Sequence, residues 1–217
     1  MGYTDEQLKP FVNSLKRTGY DGDLVLIRQN PYAVHSILSR FDLIPRYITY
    51  HRWVIAIDTS DVVFQSNPID WLNQNAAGHE LVVVSEGTTF EQSEGNKRNM
   101  MEAFPGYWEQ MRTREVFNAG VIAGKARTVK DLSEQIYMLC LQDHRVNGAP
   151  VKKLEWFEMI SDQSALNILL DTIPCVLRAN AASGFVHNYS HPGNGEHCAI
   201  LHQYLYTRGD EIRAKYA

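Results

Sequence analysis

Four short, almost uninterrupted apolar runs narrow the possible folds more than any other feature of this chain: LVLI at 24–27, WVIAI at 53–57, ELVVV at 80–84 and FNAGVIAG within 116–124. A strand that is apolar at nearly every position is covered on both faces, as in a sheet held between layers of helices. The segments between the runs have helical periodicity. Over 5–18, Leu8, Phe11, Val12 and Leu15 recur at helical spacing, and Gly19 stands where a helix stop belongs. Helices are also predicted over 34–41, 46–53 and 69–75, and over 96–111 with a break near Pro105-Gly106. The clearest amphipathic helix is 129–141, with Leu132, Ile136, Leu139 and Cys140 on one side, and 161–170 is another. Short strands around Val176-Leu177 and over 198–201 close the chain. This alternation predicts an α/β sandwich with a central, mostly parallel sheet flanked by helices.

No repeat, low-complexity tract or Pro/Gly/Ser linker interrupts the 217 residues, so one domain over 1–217 is expected. Two connections stand out. The chain opens on a helix where such folds usually begin with a strand, and the helix predicted over 46–53 runs into the next strand with almost no loop. Residues missing at both places, or unusual local geometry, would account for this. The formal charge of −4 and the scattered basic residues argue against a nucleic-acid partner. The chain contains no apolar run long enough to span a membrane, and its first residues are polar, so a cytoplasmic location without an anchor is expected. Cys140, Cys175 and Cys198 lack metal-ligand spacing and read as small buried hydrophobes. Asn188-Tyr189-Ser190 matches a glycan acceptor pattern, which matters only in a luminal or secreted protein.

In an open α/β sheet, ligands bind beyond the carboxyl ends of the strands, which singles out Asp58-Thr59-Ser60-Asp61 after WVIAI. Two carboxylates three residues apart on a tight turn can converge on one hard cation, magnesium or manganese, that also takes phosphate oxygens. The plainer alternative makes Asp58 a turn cap and leaves Asp61 solvated. Against it, the pair lies between two apolar segments, where unpaired charge costs several kcal/mol.

The run AIDTSDVVFQSNP, residues 56–68, resembles the metal-binding segment of GT-A fold nucleotide-diphospho-sugar glycosyltransferases. Further pieces follow in that family's order: LKPFVNSLKRTGYDGDLVLI, VVVSEG, FNAGVIAG, SDQSALN and LHQY, together covering 8–204. A fainter likeness, to transferases that large algal viruses encode for their capsid glycans, rests on no single motif. The family resemblance implies a GT-A sandwich and transfer of a sugar from a nucleotide-diphosphate donor, most commonly a UDP-sugar, to a glycan, glycoprotein or other hydroxyl acceptor. It implies Asp58, Asp61 and His202 as ligands of Mn2+ or Mg2+, the ion acting as a Lewis acid on the departing diphosphate. Ser60 lies between the two acids and is assigned to substrate. Asn118-Ala119-Gly120 resembles the segment where small residues admit the sugar and an amide fixes a hydroxyl; a strand with a glycine kink is the alternative. Asp162-Gln163 resembles a pair beside the anomeric carbon in retaining members, and an N-cap is the alternative. Glu86 is placed to act as a base or to accept from sugar hydroxyls.

Lys97 and Arg98 are expected at the diphosphate or sugar, with a solvated helix face as the other reading. His187 is assigned to phosphates or acceptor, while His191 and His197 are not expected to bind metal. Residues 87–96 are expected to be a mobile loop closing over the donor, and Trp156 and Phe157 could stack on an acceptor sugar. Two other functions remain open. A sugar-phosphate nucleotidyltransferase has a similar architecture but needs a Gly-rich phosphate loop, which this chain lacks. A non-catalytic pseudo-transferase would bind sugar nucleotide without turnover.

Overall fold

In the computed structural model, residues 4–27, 38–49, 52–141, 145–146, 149–150, 161–206 and 209–216 are described. The elements in chain order are α1 (Asp5–Arg17), α2 (Ser39–Tyr47), β1 (Val54–Ile57), β2 (Val62–Phe64), α3 (Pro68–Asn75), β3 (Leu81–Thr89), α4 (Glu94–Ala103), α5 (Trp108–Met111) and β4 (Glu115–Gly124). They continue with α6 (Ala126–Leu141), a short ribbon of β5 (Arg145–Val146) and β6 (Ala149–Pro150), α7 (Asp162–Leu169), β7 (Val176–Ala179), β8 (Val186–Asn188), β9 (Ile200–His202) and α8 (Gly209–Tyr216).

The main sheet has the order β1-β4-β3-β7. Strand β4 lies antiparallel to both β1 and β3, and only β3 and β7 form a parallel pair. The sheet is therefore mixed, which corrects the expected mostly parallel one. Even so, β1, β3 and β7 point the same way, so their carboxyl ends share one rim. The apolar runs alternate between the sheet's two faces. Val54, Ala56, Leu81, Val83 and Ile122 pack with α2 and α4 to α7 on one side. Ile55, Ile57, Val82, Val84, Val121 and Ala123 pack with α1, α3 and a second sheet on the other. This second sheet, β2-β9-β8, is tied to the first by the chain turning from β1 through Asp58–Asp61 into β2.

Helix α1 begins and ends as its sequence requires. Thr4 and Gln7 form a reciprocal capping box, and Gly19 takes the left-handed conformation just past the end. The amphipathic α6 and the broken α4–α5 stretch also lie where periodicity put them.

Two expectations fail. LVLI at 24–27 belongs to no strand, and Leu24, Val25 and Leu26 are 43%, 51% and 38% exposed. A continuous apolar run needs hydrogen-bonding neighbours to become a strand, and among the described residues this one has none. In place of the helices predicted over 34–41 and 46–53 there is α2, which ends at Tyr47. Residues 34–37 of the first and 50–51 of the second lie outside the described residues, as do Trp156 and Phe157. Cys140 and Cys198 are buried, but Cys175 is exposed on a turn with φ 54°, contrary to the expected burial.

Candidate functional site

The rim where β1 and β3 end is opened by an irregularity in β4. Its pairing with β3 jumps from Val83↔Ile122 to Val84↔Asn118, so residues 119–121 of β4 have no register partner on β3. A bulge of this kind re-aims side chains and backbone toward a site. Here it sends the Gly120 carbonyl to the Asp58 amide at 2.8 Å and the Ala119 amide to Gln163 Oε1 at 3.1 Å. Asp58 directly follows β1, β3 contributes Glu86 near its end, and the first turn of α7 contributes Asp162 and Gln163. Asn167 fixes α7 in place by closing a ring with β4: it accepts from the Phe117 amide at 2.9 Å and donates to the Phe117 carbonyl at 2.8 Å.

Arg40, at the start of α2, lies at the centre of the acids. Its guanidinium bonds Asp58 Oδ1, reaches Asp162 Oδ2 at 2.6 Å and donates to the Ala119 carbonyl at 3.2 Å. Its side chain is 17% exposed and that of Asp162 is 7% exposed, so this half of the bridge is largely desolvated, whereas Asp58 is 40% exposed. Burial alone would lower the Arg40 pKa, but Asp58 and Asp162 together outweigh it and the guanidinium stays charged. Nothing in the sequence distinguished Arg40, because its role depends on α2 packing across the sheet rim.

Glu86 is caged by amides. Asn118 and Gln163 donate to its Oε1 at 2.8 and 3.1 Å, and Asn96 donates to its Oε2 at 2.9 Å. Gln163 also donates to Asn96 Oδ1 at 2.7 Å, and Asn118 Oδ1 accepts from the Gly120 amide at 2.7 Å. With these donors directed at it, Glu86 is held as an acceptor and orients the amides around it. Asn96, like Arg40, went unnoticed in the sequence. Of its neighbours on α4, Lys97 faces Glu94 at 3.9 Å and Arg98 is exposed. The expected mobile loop over 87–96 is also corrected. Strand β3 runs through Thr89, Phe90 is fully buried and bonded through its amide to the Arg114 carbonyl, and α4 starts at Glu94.

His202 and Asp61 form the other half of the site. The pairing of β2 with β9 sets His202 directly across from Val62, the residue after Asp61. His202 is 2% exposed, and its Nδ1 lies 2.9 Å from Asn188 Oδ1. Asn188 donates its own amide to the Ser85 carbonyl at 3.2 Å, so its oxygen faces the imidazole. His202 must therefore protonate Nδ1, which leaves the Nε2 lone pair available. Burial drives its pKa down to about 4, with the Asp58 charge opposing and Arg40 adding to the effect, so the ring is neutral. Asp61 is pushed the opposite way, up to about 6, first by burial and then by Asp58, although the Ser60 hydroxyl bonds it and favours its ionised form.

A Cβ on Gly120 would lie 2.5 Å from His202 Cε1 and Nε2 and 2.9 Å from Asn118 Oδ1. The space this glycine leaves is thus filled by the imidazole, which is a different reason for a glycine than the sugar approach expected from sequence. His187 is not part of the cluster. Strand β8 pairs His187 with Leu201 and Asn188 with His202, so by strand alternation Asn188 shares the site face and His187 lies on the opposite one, against His191.

The donor set suits a hard divalent cation: a neutral imidazole with Nε2 available and two carboxylates, one of them held up by burial and by the other. Among the described residues no three His, Cys, Asp or Glu side chains are gathered closely enough to hold an ion as they stand. Asp58 is turned toward Arg40 instead.

No family model matches this chain, and no curated protein matches it. A solved structure described as the galactosyltransferase LgtC in complex with donor and acceptor sugar analogs is similar at 17% identity, over 84% of this chain and 67% of that one, with a TM-score of 0.43. None of these comparisons links the chain to viral glycan synthesis.

Proposed function

We propose that the chain is a metal-dependent glycosyltransferase that takes a sugar from a nucleotide-diphosphate donor, with Asp58, Asp61 and His202 gathering Mn2+ or Mg2+. The observation that carries this reading is the juxtaposition, through the β2–β9 pairing, of a neutral, tautomer-fixed His202 with the partly buried carboxylate Asp61 held up beside Asp58. When bound, the ion would supply Lewis-acid neutralisation of charge on the departing diphosphate. To hold the ion Asp58 would have to give up Arg40, which would keep Asp162 as its partner and would remain a cationic donor beside the site. Asn118 gives one amide hydrogen to Glu86 and keeps the other for a sugar hydroxyl, while Gln163 and Asn96 spend both of theirs within the cluster and on Ser93. Glu86 is caged and Asp162 is bonded to Arg40, so neither of these two stands free as a general base, and this favours a retaining outcome.

One observation favours the non-catalytic reading: Arg40 already provides the acids with an internal cation. Donor turnover separates the two. Hydrolysis of UDP-sugars with manganese should be measurable in the native chain and should fall at least a hundredfold in both Asp58→Asn and His202→Gln. Turnover that ignores manganese, or survives both substitutions, would remove the metal assignment.

A further inference from the structure

His191 ties the end of β8, in the smaller sheet, to β3 of the main sheet. It lies in the turn just after β8 and is 7% exposed. That turn is closed twice: the His191 amide donates to the Asn188 carbonyl at 2.9 Å, and the Asn188 amide donates to His191 Nδ1 at 3.1 Å. A ring nitrogen that accepts carries no proton, so the proton of this imidazole is on Nε2. Nε2 in turn lies 2.6 Å from the Ser85 carbonyl oxygen on β3 and donates to it. The ring is also packed in place, with His187 edge-on at 5.5 Å between centroids and Gly87 so close that a Cβ there would lie 3.7 Å from its Cδ2. Ser190 adds a second tie between the turn and β3, its hydroxyl donating to the Glu86 carbonyl at 3.0 Å.

Asn188 passes this constraint on to the site. It is fully buried, so its side-chain amide is closed to a glycan in the folded chain. Its Nδ2 donates at 3.2 Å to the same Ser85 carbonyl, which only an N–H group can face, and its Oδ1 therefore takes the Nδ1 proton of His202 at 2.9 Å. One carbonyl oxygen thus accepts from two side chains, and every donor and acceptor from His191 to His202 is determined. We infer that His191 is a positioning residue for His202. By holding the Asn188 backbone and the Ser85 carbonyl, it keeps Asn188 Oδ1 on the imidazole, fixes His202 as the Nδ1–H tautomer and leaves Nε2 as its coordinating nitrogen. Partners that orient a ligating histidine from behind change metal affinity by roughly tenfold to a hundredfold. The consequence for an ion rests on the metal reading of the site, whereas the fixed tautomer of His202 does not.

The test reads the tautomers of both rings in the isotope-labelled, metal-free full chain at neutral pH, from proton–nitrogen correlations of the imidazoles. In the native chain His191 is expected as Nε2–H and His202 as Nδ1–H. His191→Leu keeps the bulk and removes both ring hydrogen bonds, so His202 should then populate both tautomers. His191→Gln, whose amide offers one acceptor and one donor, should restore the native pattern. Manganese affinity, followed by electron paramagnetic resonance, should fall roughly tenfold or more in His191→Leu and recover in His191→Gln. His191 found as Nδ1–H in the native chain overturns the proposal, whether or not the variants fold. So does a folded His191→Leu chain whose His202 stays wholly Nδ1–H, or a His191→Gln chain that behaves like His191→Leu, which would leave the ring a packing role alone. If the tautomers respond as expected and the native chain takes up no manganese, the positioning role stands and the metal reading of the site falls.

Discussion

Arg40 decides the electrostatics of the site in the metal-free protein. Removing it leaves Asp58 and the buried Asp162 facing each other without a cation, and breaking a buried pair on one side costs about 3–5 kcal/mol. Arg40→Ala should lose about that much stability in urea, and manganese should restore part of it through Asp58. A loss that manganese does not touch would separate the ion from this carboxylate. Asp61 and His202 make a second prediction, since they titrate in opposite senses. Folded Asp61 holds its proton up to about pH 6. Its contribution to stability is complete below about pH 4 and gone above about pH 6. Folded His202 refuses a proton until about pH 4. Its contribution is present above about pH 6.5 and lost as the pH falls through 4. Between these limits the two slopes oppose each other in the native chain. Asp61→Asn should therefore unmask stability that rises with pH, and His202→Gln stability that falls, each by roughly 1–2 kcal/mol across the window. Urea unfolding at three pH values from 4.5 to 6.5 checks this, and slopes of the same sign in both variants would contradict it. Asp58, Asp61 and His202 were singled out in the sequence, the acids by a strand end and apolar flanks and the histidine by the family resemblance. Arg40, Asn96 and Asn188 were not, because an arginine or amide acquires its role only from what folding sets opposite it.

At the scale of elements, the β4 bulge and the docking of α7 shape the site. Gly120→Ala would drive a methyl group into His202, an overpacking that costs about 1–3 kcal/mol. Manganese affinity should fall with it, since the displaced ring takes Nε2 out of place; unchanged affinity in a folded variant would show that the ring does not bind the ion. Asn167→Ala should cost about 2 kcal/mol by leaving the Phe117 amide and carbonyl unsatisfied. It should also lower turnover, because Asp162 and Gln163 ride on the same helix. Strands β3 and β4 and helix α6 were readable from their patterns, since each is bounded by turn residues and buried on the side its periodicity requires. LVLI at 24–27 carries an equally good pattern and forms no strand, because pairing is a property of two segments and the pattern describes only one. His187 shows the same limit at one-residue resolution: strand parity, invisible without the register, sets Asn188 rather than His187 on the site face.

Across the molecule, two apolar layers on either side of one mixed sheet hold the rim rigid enough to bring β1, β3, β4, β9 and α7 together at one place. Among the described residues no helix is long and apolar enough to cross a membrane. A ligand that binds only the folded chain raises its melting temperature, so manganese with uridine diphosphate should do so more than either alone. The most direct measurement is the anomalous-difference map of a crystal soaked with both. The account predicts a manganese peak within about 2.2 Å of Asp58, Asp61 and His202 Nε2, with Arg40 moved off Asp58. A peak elsewhere, or Asp58 still bonded to Arg40 with no ion between the carboxylates, would contradict it.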